Sequence, residues 1–163
     1  MGSRFEPART SSLVESVRGY GALAGQSIVL GSLVLLDANG LLNLCGADPA
    51  SILGVALNPQ GAAPGFAASN SPTLINSLPQ VDKVSVALAA RDVEFVGQMT
   101  NGSATPVTPT VAMIGDPFGV VNQSGIWTVD QAEAVNTRVR ITDVDIDNKL
   151  VFFKFLEANI QLP

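Results

Sequence analysis

Short apolar runs interrupted by turn residues set the pattern of this chain. In "LVLLDANGLLNL", residues 33–44, leucine and valine flank Asp37-Ala38-Asn39-Gly40 on both sides. A glycine closing a four-residue loop suits a type I turn followed by a residue in the left-handed region, so the stretch predicts a hairpin. Ser27–Leu36 reads as the strand before it, Leu41–Leu44 as the return and Ile52–Leu57 as the next strand. Val81–Val96 reads as two strands, with Val84, Val86 and Leu88 alternating with small residues and Val93–Val96 following Arg91-Asp92. Thr100–Pro109 and Asp116-Pro117-Phe118-Gly119 read as turns.

"VVNQSGIWTV", residues 120–129, aligns without a gap with "LLDANGLLNL", residues 35–44. Both read as hairpins of the same turn chemistry, a match that chance reuse of turns also explains. In "TRVRITDVDIDNKLVFFKFLE", Val139 and Ile141 share one face and Arg138 and Arg140 the other, until parity flips at Thr142-Asp143. A β-bulge produces such a flip. Asp147-Asn148-Lys149 reads as the turn, and Leu150–Leu156 as a return strand apolar on both faces except at Lys154, so both faces should be covered. No amphipathic helix of three or more turns is apparent. The pattern predicts an all-β fold, a small β-sandwich or barrel-like domain.

Two stretches stand apart. Residues 1–19 hold three of the six arginines and no clear period, which suits a frayed terminus or an N-terminal arm that orders on a partner. Fully extended, such an arm spans about 60 Å at ~3.3 Å per residue. Its candidate contact residues are Arg4, Phe5, Arg9 and Arg18. Residues 58–80 hold four of the ten prolines and read as a long loop within a single domain covering 20–163.

Composition sharpens this picture. Apolar residues make up 47% of the 163 and charged ones 14%, against roughly 25% in ordinary globular chains. Mean hydropathy is +0.33. A membrane helix needs about 20 consecutive apolar residues, and the longest candidate, Ile28–Leu36, falls well short and contains Gly31 and Ser32. Burial against other protein, in an oligomer or lattice, is the remaining expectation. The net charge is −5 with only three lysines, Lys83, Lys149 and Lys154, so no basic stripe is available for nucleic acid.

Chemistry is sparsely represented. The chain has no histidine, which removes Ser-His-Asp and Cys-His systems and most zinc and iron sites. Cys45, the single cysteine, reads as a small packed group compatible with a reducing cytoplasm. Asp143, Asp145 and Asp147 alternate and are expected on one strand face. Their spacing mimics the start of a calcium loop, but Asn148 and Lys154 stand where glycine and glutamate are needed. A solvated edge that discourages pairing is the other reading. Trp127 reads as a core or subunit-interface anchor, or as a ligand platform. Phe152, Phe153 and Phe155 join it as candidate core or oligomer-interface anchors. No cofactor is implied.

The segment "GALAGQSIVLGSLVLLDANGLLNLCGADPASILGVAL", residues 21–57, resembles the opening of tailed-bacteriophage capsid decoration (cement) proteins. The likeness lies in a glycine-bounded first strand at Gly25–Leu30, a second at Gly31–Leu35, the Asp37–Gly40 hairpin and an "I-x-G-V-A" strand at Ile52–Ala56. "GDPFGVVNQSGIWTVD", residues 115–130, and the strand at 150–156 are similar to the second half of such proteins. The 58–80 loop and the arm are unmatched. The resemblance implies a non-enzymatic, β-tulip-like virion protein, assembled in the host cytoplasm onto the outer capsid surface. It implies the major capsid protein as partner and self-association, most often as a homotrimer. The alternative is a β-sandwich binding module for a glycan or host surface, using the 58–80 loop and Trp127.

Overall fold

The computed structural model describes residues 4–10, 17–60 and 83–161. Among them the chain forms β1 (Glu6–Thr10), β2 (Val17–Gly21), β3 (Leu33–Leu36), β4 (Leu42–Leu44), β5 (Gly54–Ala56), β6 (Lys83–Leu88), β7 (Val93–Thr100), β8 (Pro117–Gln123), β9 (Ile126–Asp130), β10 (Val139–Asp145) and β11 (Leu150–Phe155). Two single 3-10 turns, Val111–Met113 and Glu157–Asn159, complete the elements. The protein is all-β, with two packed sheets in a sandwich or barrel-like arrangement, as the strand and turn pattern predicts.

Both sheets curl back on themselves. The larger runs β1-β7-β11-β10-β8-β9, and β9 returns to β7 through the parallel pairs Met99–Val129 and Thr100–Asp130. The smaller runs β2-β6-β5-β3-β4, and a parallel bridge from Ala22 to Leu42 joins its ends, with Leu23 N–H donating to the Leu42 carbonyl at 2.8 Å. Closure covers the edges of β9 and β4, which are otherwise templates for aggregation, and leaves β1 as the edge strand of the larger sheet. The C-terminal residues add a patch to the smaller sheet. The Gln161 side-chain amide accepts from Leu36 N–H at 2.7 Å and donates to the Leu36 carbonyl at 2.8 Å, replacing a strand where β5 has already ended.

Alternation along the strands fills two apolar interiors. Ile28, Val34, Leu42, Leu53, Ala56, Val84 and Val86 pack inside the smaller sheet. Leu33, Val55 and Ala87, on its other face, join Phe95, Trp127, Val129, Ile141, Val151 and Phe153 in the larger core. Side chains of successive strand residues point to opposite faces, so one strand serves both interiors.

Several local expectations are corrected. Residues 27–32 are not strand, and β3 begins only at Leu33; the glycine-bounded first strand at Gly25–Leu30 is therefore absent, although Ile28 is buried. Asp116–Gly119 is not a turn, because Pro117 opens β8, a position that costs no ladder hydrogen bond. The two hairpins that align in sequence differ in their turns. Gly40 alone is left-handed (φ 75°) after Asp37, whereas Ser124 and Gly125 both are (φ 55° and 86°) in a two-residue loop between Gln123 and Ile126. The bulge is where the parity flip puts it, with the β10–β11 register shifting between Ile141 and Asp143. Of β11, only the face of Val151, Phe153 and Phe155 is buried; Leu150, Phe152 and Lys154 are half-buried. Apart from 58–60, the 58–80 loop lies outside the described residues.

The first described residues are part of the body. β1 lies antiparallel on β7, pairing Glu6 with Val96 and Thr10 with Val93. Phe5 is fully buried, its ring 4.8 Å from that of Phe153. Gly97 makes the room, since a Cβ there would sit 2.4 Å from Phe5 Cδ1. Phe5→Ala should therefore lower unfolding free energy by about 3–5 kcal/mol, and Gly97→Ala, by overpacking, by about 1–3 kcal/mol. Urea denaturation measures both, and amide exchange over residues 6–10 should rise in each variant.

Candidate functional site

The residues singled out by sequence do not converge on one place. Phe5, expected to touch a partner, is instead a core residue, because the neighbouring backbone pairs with β7 and carries the ring over Gly97. Arg4 and Arg18 are exposed, and Arg9 pairs through its backbone with Glu94. Trp127 is 1% exposed, and its Nε1 is buried with no hydrogen-bond partner among the described residues. A ring so enclosed fills the core and offers no platform to a glycan. Phe153 and Phe155 are buried in the aromatic cluster with Phe95, while Phe152 is half-buried on the opposite face.

The three aspartates do not share a strand face. Asp143 and Asp145 belong to β10, but Asp147 lies in the turn beyond it. Asp143 accepts from Val144 N–H at 2.9 Å. Asp145 accepts from the side chain and backbone of Asn148, which together hold its carboxyl below the usual carboxylate range. Among the described residues no three histidine, cysteine or acidic side chains are placed to hold a metal ion. Cys45 is buried, and desolvation pushes its thiol up to about 12, the opposite of an activated nucleophile. Among the same residues, no helix is long and apolar enough to cross a membrane.

The most constructed feature of the surface is the β9–β10 connection, residues 131–138. Asp130, 9% exposed at the end of β9, accepts through Oδ1 from Gly102 N–H at 2.8 Å and Ala132 N–H at 2.9 Å, tying this connection to the one after β7. Beneath it the Thr100 and Thr128 hydroxyls share a buried hydrogen bond of 2.8 Å. Gly119 N–H donates to the Glu133 carbonyl at 2.8 Å, and a Cβ at Gly119 would collide with the Glu133 side chain at 2.4 Å. Glu133 Oε1 then accepts from Asn136 N–H at 2.8 Å and Val135 N–H at 2.9 Å. Those two donors, the Asn136 amide foremost, hold the Glu133 carboxyl below its ordinary range. Arg138 closes the segment with an ion pair to Asp48 at 2.8 Å.

This framework presents one large apolar side chain to solvent, Val135, which is 88% exposed. Other exposed apolar side chains include Val111 at 63% and Ile114 at 42%, in the connection before β8, and Arg140 is fixed beside them by Nη1 donating to the Gly115 carbonyl at 2.7 Å. Sequence reading passed over Val135 because a lone valine within "QAEAVNT" carries no period. Its only signal was the nearby glutamate, whose role depends on a glycine in another strand.

Compared with known proteins, the chain matches no protein-family model and no characterised protein.

The Glu133 turn has a definite pH dependence. Its carboxyl is more acidic folded than unfolded, so its contribution is complete above the ordinary value of 4.5 and is lost as pH falls through the lower folded value. Amide exchange, corrected for its intrinsic pH dependence, should show Val135 and Asn136 protected at neutral pH and progressively unprotected below that value. Glu133→Ala should remove the protection at every pH.

Proposed function

We propose that this protein is a structural component of a phage virion that binds the outer capsid surface and stabilises the assembled shell, with the major capsid protein as partner and a homotrimer as its working form. The observation that carries the reading is the sequence of residues 21–57, which resembles decoration proteins and whose strands, β3, β4 and β5, are contiguous in one sheet. Two further features support it. The fold is all-β with sheets that curl back on themselves, an architecture suited to a permanent contact. Exposed apolar side chains stand on connections that hydrogen bonds fix in place.

The mechanism is linkage. A protein that binds the assembled shell and not its free subunits stabilises assembly by RT ln(1 + [L]/Kd), about 2.7 kcal/mol per site when free protein exceeds Kd a hundredfold. Many copies on one shell resist internal pressure through this term, with no turnover. Charge is too sparse to steer a phosphate-rich ligand, which leaves apolar and backbone contacts to supply affinity.

Mixed with expanded, DNA-free heads of the phage that encodes it, the protein should pellet with the shells in a fixed ratio to the major capsid protein. It should also raise the temperature at which they come apart. Saturating protein that stays wholly in the supernatant would remove the proposal.

A further inference from the structure

Asparagine followed by glycine is a chemically labile pair, and the chain holds two, Asn39-Gly40 and Asn101-Gly102. The glycine nitrogen attacks the side-chain carbonyl carbon of the asparagine, since no Cβ on the attacking residue obstructs the approach. The nitrogen gives up its proton to water, the new C–N bond closes a cyclic imide, and the side-chain nitrogen leaves as ammonia. Water then opens the imide. Breaking the bond to the side-chain carbonyl gives aspartate, and breaking the bond to the main-chain carbonyl gives isoaspartate. The sum is an amide and a water converted to a carboxylate and an ammonium ion, a balance that calls for no further reactant.

Both asparagines are exposed, so what separates them is the state of the attacking N–H. At Asn101, Gly102 N–H donates at 2.8 Å to Oδ1 of Asp130, a residue only 9% exposed that also accepts from Ala132 N–H. A hydrogen bond to an ionised acceptor is roughly twice as strong as one to a neutral acceptor. Taking the proton from that nitrogen puts negative charge beside a carboxylate, and turning the nitrogen toward Asn101 breaks the tie between two connections. At Asn39, Gly40 N–H donates instead to a neutral group, the Asp37 carbonyl, at 3.1 Å within the same turn. The Asp37 carboxylate accepts from the N–H groups of Asn39 and Leu41. A Cβ at Gly40 would meet nothing within 4 Å, so the turn has room to form the imide, whereas one at Gly102 would stand 3.9 Å from Ala132 Cβ and the Asp130 carboxylate.

We infer that Asn39 is a site of spontaneous deamidation, with the Gly40 nitrogen as nucleophile, and that Asp130 withholds the same reaction from Asn101. The product bears on the smaller sheet. Isoaspartate at position 39 lengthens the main chain by a carbon atom in the loop that joins β3 to β4. That loop is fixed by Asp37 N–H donating to the Leu41 carbonyl at 2.9 Å, directly before Leu42, whose carbonyl accepts from Leu23 N–H and joins the ends of the sheet. Deamidation thus loosens the closure from its hairpin end and adds a carboxylate close to that of Asp37. The reaction involves neither a shell nor a second copy, so it stands or falls apart from capsid binding.

The full chain, held at neutral pH and physiological temperature for increasing times, is digested and mapped by mass spectrometry. The acid form is read by its mass gain and isoaspartate by enzymatic methylation. In the folded protein Asn39 should convert about tenfold or more faster than Asn101, the factor that one hydrogen bond to a charged group commands. In guanidinium chloride, where the Asp130 contact is gone, the two sites should convert at comparable rates. Asp130→Asn, which keeps an oxygen acceptor and removes the charge, should speed Asn101 severalfold and leave Asn39 as in the wild type. Equal rates at the two sites in the folded protein, a difference that persists in guanidinium chloride, or an Asn101 rate indifferent to Asp130→Asn would each overturn the inference.

Discussion

The parallel contact of β7 with β9, at Met99–Val129 and Thr100–Asp130, is the constraint on which the larger sheet depends. β7 is long enough to divide one edge between two neighbours, β1 along Val93–Val96 and β9 at its end. Without the second contact, β9 would be an open edge and Val129 would lose its partner on β7. The same contact sets Asp130 where its carboxylate reaches Gly102 and Ala132. The ordered connection after β9 is therefore a consequence of sheet closure, and so is the direction in which it presents Val135.

Closure also accounts for part of the unusual composition. A simple two-layer sandwich has one interior. Here the smaller sheet encloses a set of side chains of its own and turns Leu33, Val55 and Ala87 outward into the core of the larger sheet. Positions that would face water in a sandwich of one interior are apolar in β3, β5 and β6. A low charged fraction follows from this geometry before any partner is considered. What is left for partners is the smaller set of apolar side chains that the fold holds outside both interiors, notably Val111, Ile114 and Val135.

Signals confined to neighbouring residues were legible in the sequence. The Asp37–Gly40 turn is stated by its own residues, and Asp37 accepts from Asn39 and Leu41 N–H as such a turn requires. The bulge at Thr142 was visible because the hydrophobic parity on its two sides disagrees. The extent of the first strand is not legible for a related reason. Ser27–Leu36 is apolar enough for one long strand, but Gly31 turns the chain at φ 83° before β3 begins. Composition cannot separate a strand from an extended segment that packs without a ladder. The face of Asp143, Asp145 and Asp147 failed for want of a boundary, since strict alternation holds only until the strand ends.

Contacts between distant residues were not legible, and Phe5 is the clearest case. A phenylalanine among arginine, glutamate and proline reads as an exposed arm because nothing near it is apolar. Its partner signal is Gly97, a glycine that interrupts an otherwise continuous strand ninety-two residues later. Each oddity is weak by itself: glycine in a strand costs stability, and a lone aromatic near a terminus is common. Only the fold shows that one fills the space the other leaves. The same pairing recurs at Gly119 and Glu133, where the missing side chain admits the Glu133 stem whose carboxylate accepts from Val135 N–H. At Gly97 and Gly119 the strand glycine thus marks where a side chain from elsewhere needs the room, whereas Gly54 admits the backbone carbonyl of Ala87 and Gly19 faces open space.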